Sequence, residues 1–231
     1  MDTFSEYVIN LPERVDRRTK MEAQLQRIGW QAKFIAATKP ATADGFPSIG
    51  SRGCFLSHLE ALKHGATSNE HIVLMEDDLN FIPDFEQLWH RANEALRAKD
   101  WSIFYPGHTL QCVADGLSAV PPTEGIVCSH FLVIHHSAVT TMVQALETIL
   151  SRPPGHPLGG PMHVDGAYST IRAQNPQLAT YVFSPSLGYQ RSSRSDVASL
   201  KFFDRIHSLR PLVARLRGIK SAFRRTGASR T

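Results

Sequence analysis

The sequence predicts an α/β fold: a mainly parallel sheet with helices on both faces. Three observations point that way. Short apolar runs alternate with segments of helical spacing from residue 7 to residue 183. The run Ile72-Val73-Leu74-Met75 is apolar on both faces, as strands inside parallel sheets are. Glycines close two of the helical segments, at Gly29 and Gly65.

The elements follow in order. "YVINL" (7–11) reads as a strand, and residues 16–28 as a helix with Met21, Leu25 and Ile28 on one face. "AKFIAA" (32–37) is the second strand. "SRGCFLSHLEALKHG" is a helix capped by Ser51, with Phe55, Leu59 and Leu62 inward and Ser57 and His58 on its polar side. The strand 71–75 precedes a helix from Asp84 to Ala98, with Phe85, Leu88, Ala92 and Leu96 inward. "WSIFY" (101–105) and "GIVCSHFLVIHH" (125–136) are strands, separated by a loop. Residues 137–150 form an amphipathic helix. A Pro/Gly-rich loop then leads to a short helix at 166–174 and a last strand at 179–183.

The chain has 231 residues, enough for a full core, with 42% hydrophobic and 20% charged residues. No apolar run reaches 18 residues, so no transmembrane helix is expected, and the acidic start "MDTFSEYVINL" is not a signal peptide. Cys54, Cys112 and Cys128 are odd in number and lack CxxC spacing. They read as buried, reduced thiols of a cytoplasmic protein. Residues 197–231 hold nine of the 25 basic residues but only one acid, Asp204, of the 21. The first 196 therefore carry 16 basic residues against 20 acids. That split predicts a body over 1–196 and a basic tail over 197–231.

Four stretches carry candidate chemistry. "VINLPERVDRR" (8–18) places Arg14, Arg17 and Arg18 after a strand end, where guanidinium forks can grip phosphates; a solvated first helical turn capped by Asp16 is the plainer alternative. "GSRGCFLSHLEAL" (50–62) offers the small residues Gly50, Ser51 and Gly53 at a helix N-terminus. Glu76, Asp77 and Asp78 follow an apolar strand at the end where α/β proteins bind ligands. Three like charges there suit a hard divalent cation, and Glu76 and Asp78 have the spacing that puts both on one side of an extended segment. Asp165, in a Gly/Pro-rich loop, is a candidate base for an acceptor hydroxyl or an N-cap for the helix after it. Downstream, Arg191 and Arg194 lie among serines in an anion-binding composition. Neither GxGxxG nor GxxxxGK[ST] is present, which argues against dehydrogenase and P-loop chemistry.

In their order, "YVINLPERVDRR", "GSRGCFLSHLEAL", "IVLMEDDLNF" and "HVDGAYS" resemble glycosyltransferase family 25. Its members include bacterial lipooligosaccharide galactosyltransferases and animal procollagen galactosyltransferases. The resemblance covers roughly residues 6–196, with 106–124 and 152–160 unmatched. It implies a GT-A type, Rossmann-like fold, a UDP-sugar donor, a divalent cation (Mn²⁺ or Mg²⁺), and hexose transfer, galactose being the family's sugar, to a glycan or glycolipid hydroxyl. By position, Glu76, Asp77 and Asp78 match the acidic metal motif, which resembles the aspartate-any-aspartate signature of nucleotide-sugar transferases. Asn10 and Arg14 match the nucleotide-side segment, and Ser57 and His58 the block after it. Glu76 stands where the broader pattern has Asp. The resulting expectation is a metal-assisted UDP-sugar hexosyltransferase of lipopolysaccharide or other cell-surface glycans. Metal and catalysis fall to Glu76, Asp77 and Asp78, the base to Asp165, and donor contacts to Asn10, Arg14, Ser57, His58, Asp77, Arg191 and Arg194. A metal-dependent phosphoester hydrolase and a non-catalytic nucleotide-sugar-binding module are the alternatives.

From Leu200 to Phe223, apolar residues recur at three- and four-residue steps between basic ones. This amphipathic helix, over about 200–224, is expected either to lie on an anionic membrane surface, at the inner face, or to pack on the body. Nucleic acid is not expected, because no aromatic platform is interleaved with the charge.

Overall fold

A computed structural model describes residues 3–111 and 114–191. The chain divides into two units after Gln190, and the first holds every element below. In chain order these are β1 (Phe4–Asn10), α1 (Val15–Arg27), β2 (Lys33–Ala36), α2 (Ile49–Gly65), β3 (His71–Glu76), β4 (Leu79–Phe81), α3 (Phe85–Arg97), β5 (Ile103–Tyr105), β6 (Gly116–Val120), β7 (Phe131–Ile134), α4 (His136–Ser151), α5 (Val164–Gln174), β8 (Thr180–Ser184) and β9 (Gly188–Gln190). The expected amphipathic tail and its boundary at 196/197 lie outside the described residues, as does Cys112.

Seven strands form one sheet in the order β2-β1-β3-β7-β5-β8-β6. Strands β1, β2, β3, β5 and β8 share a direction, while β6 and β7 oppose it, so the sheet is mixed α/β and mainly parallel. Alternation along the strands sorts the core into two layers. Tyr7, Ile9, Ile72 and Leu74 face α2, α4 and α5; Val8, Val73 and Met75 face α1 and α3. The chain leaves β1 through α1 to β2, then returns past β1 through α2 to β3. The crossovers diverge between the carboxyl ends of β1 and β3, which opens a crevice there.

Several local expectations change. Helix α2 is capped by Ser48, not Ser51: Ser48 Oγ accepts from Ser51 N at 3.0 Å and Ser51 Oγ accepts from Ser48 N at 2.8 Å. Ser57 and His58 are on its buried side, not its polar side. The strand expected at 125–136 is only Phe131–Ile134. Residues 125–130 form a loop in which Cys128 takes φ 113°, a conformation L residues rarely adopt. Strand β6 pairs antiparallel with β8 inside a stretch expected to be loop, and the three-residue strands β4 and β9 pair beside the acidic triplet. Helix α5 begins at Val164, so Asp165 is within its first turn and is not its N-cap. Gly29 does take the left-handed conformation, φ 67°.

Arg172 of α5 is fully buried, with no carboxylate partner among the described residues. It donates to Thr180 Oγ1 (3.0 Å), Glu124 O (2.8 Å) and Pro121 O (2.9 Å), tying β8 and the loop after β6 to the helix that carries Asp165. Arg172→Met removes the donor to the buried Thr180 Oγ1, while Glu124 O and Pro121 O belong to exposed residues and Pro121 O keeps its bond from Glu124 N, so the change should cost about 1–3 kcal/mol. The check is the urea midpoint; an unchanged midpoint would mean that water replaces the guanidinium without loss. Among the described residues no helix is long and apolar enough to cross a membrane.

Candidate active site

Strand β3 is apolar and buried from Ile72 to Met75, and register with β1 sets Glu76 opposite Ile9. The turn after it is held by backbone bonds from Glu76 N to His130 O (2.9 Å) and Asp77 N to Ile9 O (3.1 Å). Three carboxylates therefore emerge from one rigid strand end, but they do different things.

Asp77 is buried and committed to the protein. Its Oδ2 accepts from Asn10 Nδ2 at 2.7 Å and its Oδ1 from Arg17 Nη1 at 2.9 Å. Asp78 is also buried. Its Oδ2 accepts from Arg17 Nη1 (3.1 Å) and from Gln190 Nε2 (3.3 Å), which the β4–β9 ribbon delivers. Asp78 Oδ1 is buried with no hydrogen-bond partner among the described residues. Glu76 offers one oxygen, Oε1, to His58 Nε2 (3.4 Å) and Ser129 Oγ (3.3 Å). Its other oxygen, Oε2, makes no hydrogen bond among the described residues. Glu76 Oε2 and Asp78 Oδ1 are the carboxylate oxygens left for a ligand.

The electrostatics agree. Burial, then the neighbouring Glu76, pushes the Asp78 carboxyl up to about 7, against the pull of Arg17 and Gln190. Burial would also raise Glu76, but the His58 bond and charge, with His130 and Ser129, hold it below its ordinary value. Burial raises the Cys54 thiol, and the charges of Glu76, Asp165 and Asp78 add to that rise. Arg17, bonded to Asp77 and Asp78, is one cation set against three carboxylates, so negative charge is in excess there.

Two clefts meet at this centre. The first, of about 340 Å³, is lined by Ile9 and Leu11 of the β1 end, by the cations Arg14, Arg17 and Lys39, and by Ser57, His58, Glu76 and Asp77. Gly53 lines it as well: a Cβ there would sit 2.7 Å from Thr38 O, so the glycine lets α2 press against the loop after β2. The second, of about 210 Å³, is lined by Cys128, Ser129, His163 and Asp165. Cys54 and Glu76 line both.

Most of the sequence-predicted residues are thus gathered, with changed roles. Asn10 holds Asp77 and does not line either cleft. Arg14 lines the first cleft with its guanidinium on Asp16, at 2.9 and 3.1 Å. Ser57 donates to Gly53 O (2.6 Å) and accepts from Thr38 N (2.8 Å), a packing role. His58 joins Glu76 to Tyr168 Oη, 3.1 Å from its Nδ1. Asp165 lines the second cleft and accepts from Gly166 N at 2.7 Å. Arg191 begins the second unit, and Arg194 lies outside the described residues. Arg17, read in sequence only as one of three arginines that could grip phosphates, is bonded to Asp77 and Asp78. Sequence reasoning missed Cys54, Ser129, Tyr168 and Gln190 as site residues, for which no local pattern speaks.

No family model matches the chain. Its curated relatives are proteins named Glycosyltransferase 25 family member. The one from Aedes aegypti is 29% identical over 124 residues, covering 44% of this chain and 20% of that protein. The one from Anopheles gambiae is 30% identical over 124 residues, covering 44% and 21%. The one from Drosophila melanogaster is 25% identical over 170 residues, covering 64% and 28%. The chain thus spans between a fifth and just over a quarter of these relatives' length. Among solved structures, it aligns with a glycosyltransferase involved in glycosylation of the PBCV-1 major capsid at 10% identity and TM-score 0.41, covering 84% of this chain and 96% of that one. A Drosophila β-1,4-galactosyltransferase 7 in complex with manganese, UDP-Gal and xylobiose aligns at 9% identity and TM-score 0.42, covering 84% and 73%.

Proposed function

We propose that this chain, a homologue of the glycosyltransferase 25 family, is a glycosyltransferase that moves a hexose from a UDP-sugar to an acceptor hydroxyl. One observation carries the reading: a cleft bordered by cations and a cleft bordered by Asp165 share Glu76 as a common wall. Two substrates held there would meet at the carboxylates.

In this reading the first cleft takes the donor. Arg14 and Arg17 are within its wall, and a diphosphate would compete with Asp16 and Asp77 for their guanidiniums. The residues fit a hard divalent cation such as Mn²⁺ or Mg²⁺, because an orphaned buried oxygen, Asp78 Oδ1, and the open Glu76 Oε2 lie on one short acidic turn. Such an ion would neutralise charge on the departing diphosphate. Asp77 is then the anchor of the motif and not a ligand.

The second cleft takes the acceptor. Asp165 receives the hydroxyl proton as the acceptor oxygen bonds to the anomeric carbon. The bond from that carbon to the diphosphate oxygen breaks, and its electron pair leaves with UDP. Donor contacts by Arg191 and Arg194 belong to the same proposal, as do galactose as the sugar, a lipopolysaccharide or other cell-surface glycan as the acceptor, and membrane contact through residues 200–224 at the inner face.

The test is UDP release from a panel of UDP-sugars, with Mn²⁺ or with EDTA. Slow hydrolysis of one donor, abolished by EDTA and accelerated by the right glycan, is the expected result. Fast release of phosphate or nucleotide from simple phosphoesters without an acceptor would favour a hydrolase. Nucleotide binding without turnover of any donor–acceptor pair would favour a binding module.

A further inference from the structure

We propose that Cys54, His58 and Glu76 form a second cation site that shares Glu76 with the donor-side site, of the class that takes a borderline divalent ion such as Zn²⁺, and that an ion held there inhibits transfer. The inhibitory half rests on the glycosyltransferase reading; the binding half does not.

One ligand atom from each of the three residues lies within 4.8 Å of the other two. Sulfur, imidazole nitrogen and carboxylate oxygen together suit zinc, whereas Glu76 and Asp78 alone offer only oxygen and suit Mn²⁺ or Mg²⁺. Cys54 and Glu76 line both clefts, so a bound ion keeps an open position for water. Negative charge from Asp78 and Asp165 reaches Cys54, so the surroundings favour a cation. The supporting partner is also present: His58 Nδ1 is 3.1 Å from Tyr168 Oη. On binding, the Cys54 thiol loses its proton to solvent. His58 coordinates through Nε2 and donates its Nδ1 proton to Tyr168, which fixes the ring.

A second histidine group, His71, His135 and His136, has similar spacing but a worse environment. His71 Nδ1 already accepts from His136 N at 3.1 Å, and His135 caps the N-terminus of α4, where the helix dipole repels cations.

Glu76 links the two chemistries. Zinc on Cys54, His58 and Glu76 takes that carboxylate from the donor-side ion and stands in the passage between the clefts. Inhibition by zinc should therefore be relieved by removing the thiol.

The experiment is a Co²⁺ titration of the untagged full chain without donor, followed by absorption. The expected result is a thiolate-to-cobalt charge-transfer band, displaced by Zn²⁺ and absent in Cys54→Ser and Cys54→Ala. Tyr168→Phe should weaken the affinity about 10- to 100-fold while keeping the band. Circular dichroism checks that each variant is folded. A cobalt spectrum without the band, or a band that survives in both Cys54 variants, would overturn the site. A band with no zinc inhibition of UDP release would overturn the inhibitory half alone. Loss of the transferase reading would leave the cobalt spectrum as it is.

Discussion

Asp78→Asn should lower metal-dependent transfer by on the order of 10²–10³-fold while making the metal-free protein more stable. Both effects have one cause. Burial and the neighbouring Glu76 hold the Asp78 carboxyl at about 7 against an ordinary 3.8, and one of its oxygens has no hydrogen-bond partner among the described residues. A raised carboxyl keeps its proton in the folded chain at a pH where the unfolded chain has lost it. Stability therefore falls as pH climbs from about 4 towards 7. Asparagine does not titrate, so the variant's advantage should be small near pH 4 and widen up to about pH 7. Thermal melts across that range, with and without Mn²⁺, provide the check. Mn²⁺ should raise the melting temperature of the wild type and leave the variant's unchanged. A variant less stable than wild type at pH 7 without metal would show that Asp78's bonds to Arg17 and Gln190 outweigh its desolvation. A variant with full activity would remove Asp78 from the metal site.

Asp165→Asn should separate acceptor chemistry from donor chemistry. Asp165 borders the second cleft, which shares Glu76 with the first, and among the described residues its carboxylate takes one hydrogen bond, the local one from Gly166 N. As a general base it should contribute about 10²–10⁴-fold to transfer. The variant should lose that factor in kcat with acceptor present, with little change in donor KM. Slow donor hydrolysis without acceptor should stay within a few-fold of wild type. Equal losses in both assays would place Asp165 in the fold or on the donor. His163, exposed at the N-cap of α5, is the residue to replace next in that event.

These two residues also divide what was legible. Asp78 stands out in sequence because three acids follow four apolar residues, and that contrast survives folding. Asp165 stood out only as a polar residue in a glycine-rich stretch, and its N-cap alternative fell once α5 was seen to start at Val164. The long helices were readable because their periodicity spans three or more turns. The paired strands β4 and β9 have three residues each, too few for any period to show. Yet that ribbon is what brings Gln190 to Asp78.

Hydrophobic patterning and charge by themselves determined the α/β class, the order of the major elements, and the acidic turn at the end of β3, because each is written in neighbouring residues. The division of labour among the carboxylates was decided only by tertiary structure. Asp77 became an anchor because Asn10 and Arg17, 67 and 60 positions away, converge on it. Glu76 became the wall between two clefts because Ser129 and His58 each bind the same one of its oxygens. Hydrogen bonds choose individual oxygens, and only packing sets which oxygen is left over.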